Sequence, residues 1–124
     1  PVVIRTEGER VIGELVFEAQ HGGAPGFVHG GLVATLLDEV LGHVAIQRGV
    51  PVATATLDVR YVAPTPLDVP LRCEAWLVRQ TGRRWFIAGE VRAGDVVTAR
   101  AEAVFFDVRK SSFEAAIRAS AARD

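Results

Sequence analysis

Val28-His29-Gly30-Gly31 sets two residues without side chains behind a histidine, directly before a run of apolar residues with helical spacing. At a helix start the first N–H groups lack an intrahelical acceptor and the dipole favours negative charge, so this turn can hold an oxyanion. Glycine also lets a ligand carbonyl approach the backbone, which a Cβ obstructs. The same pair serves equally as a plain tight turn from loop to helix, and taken alone it does not choose between the two uses. Further along stands Asp38, with Ala34 and Gly42 as its i−4 and i+4 neighbours, a carboxylate in a row of small residues. Aspartate is a poor mid-helix residue, and Asp38 lies too far in to cap. A glycine in a helix interior costs about 1 kcal/mol relative to alanine, so Gly42 points to something packing close. A carboxylate so placed can act as a general base towards water or as a nucleophile towards an activated acyl group.

Helix geometry constrains how these groups cooperate. Gly30 and Asp38 are separated by about 12 Å along a helix axis and about 80° around it, so one chain cannot bring both to one carbonyl. If they act together, the carboxylate comes from a second copy, which makes a dimer with sites at its interface the simplest geometry. Other chemistries lack their signatures. His21, His29 and His43 do not have zinc-ligand spacing, and His43 with Glu39 reads as a helix-face hydrogen bond, so no metal is expected. There is no Gly-x-Ser-x-Gly elbow and no dinucleotide or Walker motif, and Cys73 falls at a core strand position where a thiol is inert packing.

The elements that must hold these residues follow from periodicity. Val2 to Glu7 and Val11 to Ala19 read as a hairpin around Gly8-Glu9, and His21 to Gly26 is a loop. A helix over Gly30 to Arg48 carries two apolar rows, Leu32, Leu36, Val40, Val44 and Val33, Leu37, Leu41, Ala45, and stops at Gly49-Val50-Pro51. Beside them, Thr35, Glu39, His43 and Gln47 form a polar stripe facing solvent or another subunit. Strands are expected over Val52 to Val62, Leu71 to Arg79, Trp85 to Ala93 and Val96 to Phe106. Strict alternation places Thr54 on the same side as Thr56, Asp58 and Arg60. Ser111 and Glu114 are spaced as a capping box before a helical tail, Ala115 to Ala122. One long helix against six strands is an α+β domain.

Composition agrees. A chain of 124 residues with 49% hydrophobic and 23% charged residues is one domain with its own core. A net charge of −1 with scattered arginines gives no footprint for nucleic acid. The apolar stretch Phe27 to Leu37 is too short to span a membrane, and the single cysteine fits a reducing compartment, so the cytoplasm is the expected location. The chain begins at Pro1 and contains no methionine, so nothing about a targeting segment is read from its start.

His29-Gly30-Gly31-Leu32-Val33-Ala34-Thr35-Leu36-Leu37-Asp38-Glu39 resembles the signature of hotdog-fold acyl-CoA thioesterases of the phenylacetate-pathway (PaaI) type. Thr54, Thr56-Leu57-Asp58-Val59-Arg60-Tyr61 and Pro64 look like that family's strand after the helix, and Thr81-Gly82-Arg83 resembles its next hairpin turn. The resemblance covers roughly Gly26 to Phe106. It implies a hotdog fold, a curved antiparallel sheet wrapped around one long central helix, over 1–110 with a helical tail at 111–124. It further implies acyl-CoA hydrolysis without a cofactor, in homodimers with interface active sites that pair into homotetramers.

Residue by residue, the resemblance implies that the Gly30 N–H polarises the thioester carbonyl and that His29 beside it positions or contacts the thioester. Asp38 matches the catalytic carboxylate, contributed across the dimer interface. Thr54 matches a strand Ser/Thr that orients water or the carboxylate. Arg60, Arg83 and Arg84 are candidates for the coenzyme A phosphates. Many relatives carry Asn or Gln six residues before the His-Gly-Gly histidine, where this chain has Gly23; the Ala24-Pro25-Gly26 loop looks like another branch, in which the histidine carries the polar role alone. A rival enzyme is a hotdog hydratase or dehydratase, faintly suggested by His21 with Pro25-Gly26, but the carboxylate it needs would fall near Thr35, which is not acidic. Another reading is a non-catalytic acyl-CoA-binding protein, and a carboxylate buried beside a thioester argues against it. The acyl group is not legible: Phe27, Trp76, Trp85 and Phe86 suit a pocket, the core or an interface alike.

Overall fold

The computed structural model describes residues 2–109, 114 and 117–121. Strands β1 (Val3–Glu7) and β2 (Arg10–Leu15) form the expected hairpin, its turn made by Gly8 at φ +62°. Helix α1 (Gly30–Ile46) follows, then β3 (Val52–Tyr61), β4 (Leu71–Thr81), β5 (Arg84–Ala93) and β6 (Val96–Asp107). All pairings are antiparallel, and the six strands form one sheet in the order β1-β2-β4-β5-β6-β3. The α+β order read from periodicity is the order observed. Among the described residues no helix is long and apolar enough to cross a membrane.

The helix lies on one face of the sheet and touches β2 through β6. Alternation produces that face: Leu71, Cys73 and Ala75 of β4, Trp85, Ile87 and Val91 of β5, and Ala99, Ala101, Ala103 and Phe105 of β6 are buried against Leu37, Val40, Leu41 and Val44. Each buried Leu, Ile or Val among them contributes about 1.5–3 kcal/mol of transfer free energy. Glycine sets how closely the layers approach. A Cβ on Gly89 would lie 2.6 Å from a Leu41 methyl and 2.7 Å from the Glu74 carbonyl, and one on Gly13 would lie 2.7 Å from Val40. Cys73 has its thiol pushed up to about 12, first by burial and then by Glu74 and Glu90, so it stays a neutral packing group.

Some boundaries differ from expectation. β2 stops at Leu15 instead of Ala19, because Ala19–His21 turns into a short 3-10 helix in which the Glu18 N–H donates to His21 Nδ1 at 3.1 Å. The helix ends at Ile46, and Gly49 at φ +80° completes the exit. The Ser111 cap and much of the tail helix expected at 111–124 lie outside the described residues.

β3 lies along the helix segment that carries Gly30 and Asp38, with Tyr61 reaching Gly30 and Thr54 reaching Asp38. It closes one side of the sheet with β6 as its only neighbour among the described residues, and most of its ten residues are exposed. Its pairing with β6 jumps from Thr54↔Phe105 to Thr56↔Val104, so Ala55 is an extra, bulged residue. Phe105 and Ala103 face the helix, and Thr54 and Leu57, opposite them, do the same. This corrects the alternation reading. Thr56, Asp58 and Arg60 point to the outer face, and the bulge brings Thr54 round to the helix side.

Candidate active site

The loop before α1 delivers His29 in extended geometry, φ −59° and ψ 133°, as the residue that caps the helix. Its Nδ1 accepts the Gly31 N–H at 2.9 Å, which puts the proton of the neutral ring on Nε2. Gly31 leaves room for this cap, since a Cβ there would stand 3.1 Å from two atoms of the imidazole and crowd the ring. The other polar groups of the turn are also used. The His29 N–H donates to the His21 carbonyl at 3.0 Å, and the His29 carbonyl accepts from the N–H groups of Leu32 and Val33. The Gly31 carbonyl accepts the Thr35 hydroxyl at 2.9 Å. The Gly30 N–H finds no acceptor among the described residues. It is an aligned main-chain donor at the positive end of a 17-residue helix.

An open cleft of about 600 Å³ leads to this point, lined in part by Ala24, Phe27, His29, Gly30, Tyr61 and Val62. Tyr61, the last residue of β3, donates its hydroxyl to the Gly30 carbonyl at 2.6 Å. In the sequence it stands out only as part of the strand that resembles the family. It is the only tyrosine in the chain, and its position at a strand end is the one local signal that marks it.

At the far end of the same strand, the Thr54 hydroxyl donates to Asp38 Oδ1 at 2.7 Å. Asp38 is half-buried, and the hydrogen bond fixes one carboxylate oxygen while the other keeps its lone pairs free for a proton or a carbon centre. Gly42, one turn on, lets the helix sit against the Phe105 ring, 3.4 Å from where a Cβ would stand. The chain thus brings His29 with Gly30, and Asp38 with Thr54, but holds the two groups apart along the helix.

The remaining candidates are spread out. Arg83 and Arg84 sit at the β4–β5 turn beside the Phe106 ring, at 5.6 and 5.7 Å. Arg60 lies opposite Arg100, which pairs with Glu90, whereas Arg84 pairs with Phe106. The six residue steps of β5 between these rungs span about 20 Å, so the three arginines cannot grip one phosphate together. Gly23 is packed against the turn: a Cβ there would stand 3.2 Å from His29 Cα, so this loop has no room for the Asn or Gln of other relatives without moving the backbone. His21 uses Nδ1 to cap its own turn, and Thr35 is hydrogen-bonded to Gly31, which leaves the hydratase pattern without its pair. Trp85 is buried, Trp76 and Phe86 lie beneath Arg10 and Arg79, and only Phe27 of the aromatic candidates reaches the cleft. Among the described residues no group of His, Cys, Asp or Glu is arranged to hold a metal.

Comparison with known proteins shows the family. Residues 25–99 match the thioesterase superfamily. An acyl-coenzyme A thioesterase, THEM4 of Mus musculus, is 38% identical over 81 residues, which is 65% of this chain and 35% of that protein. Acyl-coenzyme A thioesterase 13 of Homo sapiens is 32% identical over 73 residues, 57% of this chain and 52% of that one. The crystal structure of a thioesterase superfamily protein superposes with a TM-score of 0.80 at 38% identity, covering 85% of this chain and 55% of that chain. The chain therefore spans only about a third to a half of the curated relatives it matches.

Proposed function

The chain belongs to the thioesterase superfamily and has its hotdog fold, and from that premise we propose that it hydrolyses an acyl-coenzyme A thioester to the free acid and coenzyme A. The observation that carries this reading is the pairing of opposites along β3: an unpartnered N–H at Gly30 by one end and a hydroxyl-oriented carboxylate at Asp38 by the other. The mouse and human relatives are both acyl-coenzyme A thioesterases, which supports the substrate class.

In this mechanism the thioester carbonyl oxygen lies on the Gly30 N–H, with His29 Nε2–H beside it. Attack at the carbonyl carbon moves the π electrons onto oxygen, and the N–H stabilises the negative charge that forms. Asp38 either takes a proton from the attacking water or attacks first, giving an anhydride that water then opens. On both routes the C–S bond breaks, sulfur leaves as thiolate and takes up a proton, and the acid is released. Thr54 holds the carboxylate in line. Arg60 at one side, or Arg83 and Arg84 at the other, meets the coenzyme A phosphates.

Because Gly30 and Asp38 of one chain are about 12 Å apart along the helix, each site combines Gly30 of one chain with Asp38 of a second. The unpaired edge of β3 is the natural seam, and the homodimers pair further into homotetramers. The cytoplasm, suggested by the single unpaired cysteine, is the proposed location.

The test is release of free thiol from short, medium, long-chain and aryl acyl-CoAs. Turnover of at least one class is expected, with Asp38→Asn lower by about 10²-fold or more while circular dichroism and ligand binding hold. No release from any substrate, or a near-native rate for Asp38→Asn, overturns the reading.

A further inference from the structure

Both peptide planes that meet at Gly30 Cα are held in place. The plane on the His29 side is fixed through its carbonyl, which accepts from Leu32 and Val33 at 3.0 and 3.3 Å. The plane between Gly30 and Gly31 is held twice: its carbonyl accepts the Tyr61 hydroxyl at 2.6 Å and its N–H donates to His29 Nδ1 at 2.9 Å. Two successive glycines are the least restrained residues a helix start can have, and this is where the site requires a fixed direction. Tyr61 also stands as a wall, with three ring and hydroxyl atoms 3.4–3.5 Å from where a Gly30 Cβ would be. Its side chain lies on a residue 55% exposed, so burial of the ring in a core does not explain its placement. Its hydroxyl proton is committed to the Gly30 carbonyl and so is directed at the protein.

We propose that Tyr61 is a positioning residue for hydrolysis: its hydroxyl and ring tie the end of β3 to the Gly30–Gly31 peptide, the plane next to the one that carries the Gly30 N–H, and so fix the turn that aims this N–H in the direction an oxyanion needs. This rests on the reading of Gly30 as the oxyanion donor. A donor fixed before reaction stabilises developing charge without reorganising, so loosening it acts on the transition state more than on the bound substrate. One strand then registers both halves of the chemistry, with Thr54 on Asp38 and Tyr61 on Gly30.

The experiment compares wild type, Tyr61→Phe, Gly30→Pro and the double variant. Tyr61→Phe keeps the ring and loses the hydrogen bond; its kcat is expected to fall about tenfold with KM within about twofold of wild type. Gly30→Pro is expected to keep a residual rate, read by single-turnover assay at high enzyme concentration, and in that background the same change is expected to cost nothing further, because the group it positions is already gone. A merely structural role would subtract equally in both backgrounds. Wild-type kcat for Tyr61→Phe alongside a strongly impaired Gly30→Pro overturns the role of Tyr61 and leaves the donor reading intact. A raised KM at unchanged kcat, or an undiminished effect in the double variant, also overturns it. A fully active Gly30→Pro removes the donor reading and the role of Tyr61 together.

Discussion

Thr54 and Asp38 come from different elements and meet through one 2.7 Å hydrogen bond. Because the hydroxyl donates to a carboxylate, it orients that group, and among the described residues no cation pairs with it. Thr54→Ala removes the donor and is expected to lower kcat about tenfold with little change in stability, whereas Thr54→Ser keeps the hydroxyl and should restore most of the rate. Steady-state kinetics on the two variants checks this, and equal loss in both would show that the methyl group matters instead. At this scale the sequence is informative where residue type alone decides. Glycine at a helix start and aspartate among small residues are legible without a structure. Tyr61 is not, since its role depends on which strand end reaches the helix start, and no local pattern encodes that.

Elements explain the rest of what can and cannot be read. Periodicity places α1 and strands β4, β5 and β6 to within a few residues because one face of each is buried, and burial leaves its period in the sequence. Alternation puts Thr54 on the wrong face for a physical reason: the extra residue at Ala55 shifts the phase of β3 without altering its composition, and alternation carries no mark of a bulge. Arg60, Arg83 and Arg84 are likewise readable as cations but not as neighbours, because strand order decides which rungs adjoin. The spacing between helix and sheet is set by Gly89, and Gly89→Ala would force a methyl against Leu41 and the Glu74 carbonyl. Backbone cannot yield as a side-chain tip can, so a loss of about 1–3 kcal/mol is expected. Urea denaturation of this variant measures it, and an unchanged midpoint would show that the layers separate at no cost.

For the whole molecule, the proposed site requires two chains, and mixing tests this directly. Asp38→Asn and Gly30→Pro protein are each expected to lose nearly all turnover alone. Proline is tolerated at the first helical position, and the extended ψ of His29 already suits a following proline. After subunit exchange, half of the dimers are mixed and each contains one whole site, so about a quarter of wild-type activity should return. Native mass spectrometry confirms exchange; exchange without recovered activity would show that the two groups do not meet across an interface. The bare edge of β3 then carries a further meaning. Exposed strand edges are usually a hazard, inviting unwanted pairing. Here the edge would couple turnover to mass action: in dilute protein, working sites would vary with the square of chain concentration, and the amount of protein made would itself govern how much of it is active.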